Sequence, residues 1–230
     1  DTNRISDDLN TITKRRDIDF IEGIVLSDTK SVIITGKLSS KKEYLKIEDL
    51  TVWNAPWFYE HVDNVTKNVS YHCDQVSIMD YLFRHDRGAF WTGMYARLKG
   101  IPIGKMTHVR KILYKYFDTL TLWKKLHDKP HEMRERRFIF QDLYINSKNT
   151  QKFIDVSNRE LGIYPLWLCP IKVTSSPQLY SPHYAIESDM VVDVGIWGEP
   201  STFPYPFDGI HWNKKIEKWL DDCDGKKMFY

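Results

Sequence analysis

Cysteine is scarce: Cys73, Cys169 and Cys223 lie far apart in 230 residues and form no CxxC pair. Neither a disulfide framework nor a cysteine-based zinc site is expected. No apolar run approaches the length that crosses a bilayer, and no secretory signal opens the chain. GxGxxG, the GxxxxGK phosphate loop, GxSxG and HExxH are absent, so the common nucleotide folds and the zinc peptidases have no support. The eight histidines are dispersed; His127 and His131 stand four apart, but beside Pro130 and among cations. No metal site is expected. An initiating Met is lacking too, so a chain that opens on Asp1 reads as a piece of a longer protein.

What is present is the composition of a globular protein, 42% hydrophobic and 28% charged. The net charge of +2 hides an asymmetry. Between Arg97 and Arg137 stand 12 basic and 4 acidic residues, a surplus of eight, which leaves −6 for the rest. Such a block suits an anionic neighbour (phosphate, nucleic acid or membrane surface) or is an ordinary solvated face. No nucleic-acid-binding module accompanies it, and no nucleic acid partner is expected.

Hydrophobic periodicity divides the chain. Ile5, Leu9 and Ile12 predict a short helix within Thr2–Arg16, and the β-branched runs Phe20–Ser27 and Ser31–Leu38 predict a hairpin. From about 39 to 140 aromatics and scattered charges predict a long helical insertion. Regular elements then resume: a strand at Gln141–Ile145, a helix from the Asn149 cap to Leu161 and a strand at Tyr164–Val173. A Ser/Pro loop runs to Ser188; a strand at Met190–Trp197, a helix at Gly209–Leu220 and a strand from Met228 complete the series. This is an α+β fold: an antiparallel sheet with a ferredoxin-like β-α-β-β-α-β unit. Helices are expected on one face of the sheet and the aromatic insertion over the other.

Five unusual strings occur in order: PWFYEHV (56–62), YLFRHDRGAFW (81–91), FQDLYI (140–145), YPLWLCP (164–170) and DVGIWGEP (193–200). With the opening DFIEGIVLS and SVIITGKL, they closely resemble the delta-24-sterol reductase family, also called seladin or diminuto, over nearly the whole chain. The resemblance implies a flavoprotein that reduces the isolated side-chain double bond of sterols at the endoplasmic reticulum membrane, with FAD as cofactor and NADPH as reductant. Residues 1–230 then correspond to its substrate-binding cap; the FAD-binding domain is expected upstream, and further residues after Tyr230. The alternative is a flavin-free lipid-binding or scaffold protein that keeps the cap fold.

Each motif carries two readings. Arg84 and Arg87 can anchor a cofactor phosphate or pair with local carboxylates. Gly195 and Gly198 can admit a flavin ring or mark a bulge. Trp91, Trp167 and Trp197 can border one substrate cavity or fill the core. Reducing an unconjugated alkene calls for a general acid, for which Tyr81, His85, Tyr164 and Glu199 are unranked candidates. Residues 108–126, with an apolar stripe and a basic remainder, read as one helix lying either on an anionic membrane surface or against the core.

Overall fold

The structure is a computed structural model describing residues 1–40, 47–128, 137–174, 186–202 and 208–228. Most of the expected Ser/Pro loop, His131, Phe229 and Tyr230 lie outside the described residues. The chain forms two compact units, Asp1–Leu38 with His131–Tyr230, and Ser39–Pro130. Its strands are β1 (Phe20–Val25), β2 (Ser31–Gly36), β3 (Ile47–Glu48), β4 (Gln75–Val76), β5 (Ile139–Asn146), β6 (Leu166–Lys172), β7 (Met190–Gly198) and β8 (Gly225–Lys227).

In the first unit six strands make an antiparallel sheet in the order β2-β1-β6-β7-β5-β8. The fold is α+β, as expected. Side chains alternate across each strand, so Leu143, Ile145, Leu166, Leu168, Val192, Val194 and Ile196 all point to one face. There they meet Ile5 and Leu9 of helix Ile5–Ile12, Phe153 and Ile154 of helix Thr150–Glu160, and Ile216 and Leu220 of helix Gly209–Asp221. Truncating any one of these large side chains to Ala costs about 2–5 kcal/mol.

Two local expectations need correction. The Asn149 side chain does not cap its helix; it donates to the Cys223 carbonyl at 3.1 Å. The last strand begins at Gly225, before Met228. Asp224, three residues past the end of the helix, takes a φ of 52°. A Cβ at Gly225 would stand 2.3 Å from Leu220 Cδ1 and 2.8 Å from the Tyr144 carbonyl. Only a residue without a side chain lets the backbone enter beside β5 there.

In the Ser39–Pro130 unit the longer regular elements are the helices Phe58–Val65, Ile78–Leu82, Thr107–Ile112 and Thr119–His127, and β3 and β4 form a two-residue parallel pair. The single helix expected over 108–126 is broken by a 3₁₀ turn at Tyr114–Tyr116. Asp118 causes the break, its carboxylate accepting from the Thr121 N–H at 2.9 Å and the Thr121 hydroxyl at 2.7 Å. That is an N-cap, and it starts a new helix. The expected apolar stripe is split as well. Phe117 is buried, 5.7 Å from Trp57, whereas Ile112 is 78% and Leu120 63% exposed.

Candidate functional site

The sheet face opposite the helices is built differently from the core face. Strand pairing sets Trp167 of β6 opposite Gly195 of β7, and Gly195 opposite Asp142 of β5. One step along, Cys169 is opposite Asp193, and Asp193 opposite Tyr144. Directly opposed residues project to the same side. The face therefore gathers Trp167, Trp197, Cys169, Asp142, Asp193 and Tyr144, with Glu22 of β1 close by.

Glu22 is buried, and its carboxyl accepts the Trp167 indole N–H at 2.8 Å. That bond fixes the indole, whose ring centroid lies 5.9 Å from that of Trp197 at a tilt of 31°. Asp193 is 6% exposed, and its Oδ1 has no hydrogen-bond partner among the described residues. Burial first, and the neighbouring Asp142 charge second, push its carboxyl up to about 7. Tyr144 responds in the same direction: burial, then Asp193 and Asp142, push its hydroxyl up to about 12. Val191, Ile186, Ile171 and Val173 extend the apolar surface past Tyr144. The arrangement puts a carboxyl group able to hold a proton near neutral pH on the same sheet face as two indole rings.

No family model matches the chain. Among curated proteins it is 26% identical over 221 residues to a human delta(24)-sterol reductase, covering 95% of this chain and 41% of that protein. It is 27% identical over 236 residues to a delta(24)-sterol reductase of Arabidopsis thaliana, covering 92% and 40%. A Caenorhabditis elegans delta(24)-sterol reductase homologue is 27% identical over 228 residues, covering 93% and 40%. The chain is related to the delta(24)-sterol reductases. It spans about two fifths of the length of these relatives.

The residues drawn from the motifs fall in both units. Trp167 and Trp197 are neighbours in the first unit. Trp91 belongs to the Ser39–Pro130 unit, fully buried, with Tyr59 and Phe90 edge-on at 6.2 and 5.8 Å. Of the candidate acids, Tyr164 packs on the helix-side core, and burial raises its hydroxyl. Glu199 is held in an ion pair by Arg137. Tyr81 lies under the Arg84 guanidinium at 4.0 Å, and His85 stacks on Phe90 at 4.1 Å.

The residues proposed to meet FAD are engaged within the chain. Arg84 donates to the Tyr81 carbonyl at 2.6 Å. Arg87 spends its fork on four carbonyls: Ala55 at 2.7 Å, Trp53 at 3.1 Å, and Leu50 and Pro56 at 3.4 Å. The space beside Gly195 is taken by the Trp197 ring, 2.6 Å from where a Cβ would stand. Gly198 sits at the end of β7 opposite Ile139. These residues offer FAD neither an open phosphate fork nor an open ring cradle. Asp193, Asp142 and Glu22 escaped the sequence reading. Asp193 alternates in phase with Trp197 on β7, whereas Asp142 and Glu22 stand on other strands.

Proposed function

We propose that this chain is the sterol-facing cap of a reductase that saturates an isolated double bond in a sterol side chain, with Asp193 as proton donor. The observation that carries the reading is the buried, protonatable Asp193 carboxyl on the sheet face that also carries Trp167 and Trp197, in a chain similar over 95% of its length to a sterol reductase. An isolated alkene accepts electrons poorly until a proton reaches it, so the residue first needed is an acid in a dry setting. Asp193 meets that need. The two indole faces stabilise the positive charge that develops on carbon. Glu22 holds Trp167 in place. Asp142 makes the Asp193 carboxylate unfavourable and so favours its reprotonation. The reducing equivalents belong to the FAD and NADPH that the resemblance implies for the whole enzyme.

The test uses the full-length protein that carries this segment, assayed for NADPH-dependent saturation of a sterol with an isolated side-chain double bond. Asp193→Asn should lower kcat by about 10²–10⁴ with KM little changed. An unaltered kcat would overturn the role of Asp193. A flavin-free lipid-binding protein is the second reading, favoured by the commitment of Arg87 to carbonyls. Sterol binding by the full-length protein without bound flavin or turnover would select it.

We further propose that residues 108–126 rest on an anionic membrane surface, consistent with an endoplasmic reticulum location implied by the family resemblance. No helix among the described residues is long and apolar enough to cross a membrane. Ile112, Tyr116, Leu120 and Trp123 are exposed among Lys111, Lys115, Lys124 and Lys125, the composition of an interfacial segment. Each cation near anionic lipid contributes roughly 1 kcal/mol. Flotation with phosphatidylserine vesicles should be lost in folded Ile112→Asp and Leu120→Asp variants. No flotation by the wild type, or undiminished flotation by these variants, refutes the surface.

A further inference from the structure

A second convergence of chemically active side chains lies in the Ser39–Pro130 unit and owes nothing to the sterol reading. His61, on helix Phe58–Val65, places Nε2 2.7 Å from Asp74 Oδ2. His72 places Nε2 2.7 Å from Asp74 Oδ1. One ligand atom from each of the three side chains falls within 4.8 Å of the others. The side chains are 16%, 37% and 24% exposed in the order His61, His72, Asp74, so the cluster is sheltered yet open to solvent on one side.

We propose that His61, His72 and Asp74 form a zinc-binding site, with water completing a tetrahedron. Bonds of about 2.0–2.2 Å from nitrogen and oxygen place tetrahedral donors roughly 3.4 Å apart. The three atoms lie within 4.8 Å of one another, so binding the ion requires them to draw closer. Asp74 then gives one oxygen to the ion instead of one to each imidazole. Two imidazoles with one carboxylate suit zinc and its first-row neighbours, whereas calcium and magnesium call for an all-oxygen shell.

The hydrogen-bonded arrangement and the metal-bound one differ by a defined proton move. A carboxylate only accepts, so both Nε2 atoms carry hydrogen in the first state. In the second each Nε2 lone pair faces the ion and the ring proton sits on Nδ1. Each donor atom must be free of its proton to bind, so affinity should fall as the solution is acidified. The bound ion ties helix Phe58–Val65 to the residues just before β4.

The full-length chain, stripped with chelator and titrated at pH 7.5, should take up one equivalent of Zn²⁺. Co²⁺ in its place should give the intense visible bands of a tetrahedral ion. Asp74→Asn, which keeps the shape but exchanges one accepting oxygen for an NH2 donor, and His72→Ala should each weaken Zn²⁺ by at least about tenfold, since even outer-shell changes cost ten- to a hundredfold. His211→Ala, distant in sequence and in the other unit, should leave the affinity unaltered. The site is refuted by the absence of stoichiometric uptake, by unchanged affinity in folded Asp74→Asn and His72→Ala, or by equal loss in His211→Ala. Any of these leaves the trio as a hydrogen-bonded cluster only.

Discussion

The indole of Trp197 folds back over Gly195, two residues earlier on the same strand. A Cβ at Gly195 would lie 2.6 Å from Trp197 Cζ2 and 2.7 Å from Cη2. Gly195→Ala should therefore displace the ring and cost about 1–3 kcal/mol through overpacking. Chemical denaturation reads the cost; the near-ultraviolet circular dichroism of the Trp167–Trp197 pair should change with it.

Asp193 makes stability depend on pH in an unusual direction. Its folded carboxyl titrates at about 7, against about 3.9 when unfolded. Between those values the folded state holds the extra proton, so the burden of the buried group is absent below pH 4 and grows as pH rises. It is complete above pH 7, at roughly 4 kcal/mol. Asp193→Asn should accordingly be much more stable than the wild type at pH 8 and nearly equal to it at pH 4. Urea midpoints at the two pH values make the comparison.

Glu22 and Trp167 form a buried hydrogen bond that is sensitive to which partner is altered. Glu22→Gln keeps an oxygen acceptor for the indole N–H. Glu22→Leu removes it and leaves a donor without its partner, which costs about 1–3 kcal/mol. The Leu variant should melt below the Gln variant.

Arg87 ties the 50–56 segment together through four carbonyls. Arg87→Ala should speed amide hydrogen exchange across residues 50–56 while leaving β5–β7 protected. Arg87→Lys should restore little, because a point ammonium cannot reproduce the planar fork.

Elements with a strong period were legible in the sequence. The hairpin of β1 and β2, the long β7 and the helix at 209–221 follow directly from alternation or 3.6-residue repetition. β8 was misplaced because Gly225-Lys226-Lys227 carries no apolar alternation; it is set by the φ of Asp224 and the space against Leu220. The break within 108–126 escaped because Asp118 sits inside a continuing stripe, and capping prevailed over periodicity. At the site, period two placed Trp167 and Trp197 each on a strand face. Which strands lie side by side is not encoded by period, so the meeting of Asp193, Asp142 and Glu22 stayed hidden until the order β1-β6-β7-β5 was known. His61, His72 and Asp74 escaped for the same reason: eleven and two residues apart, they match no metal-binding pattern.

The antiparallel register of β7 has a consequence for how this sequence can change over time. Val192, Val194 and Ile196 enter the core on the same alternation that turns Asp193, Gly195 and Trp197 the other way. Deleting or inserting one residue within Met190–Gly198 would exchange the two sets, driving a carboxyl into the helix layer and valines onto the opposite face. Length variation among descendants should therefore be purged from this strand and gather in the connections that flank it, while the chemistry of the face diversifies by substitution alone.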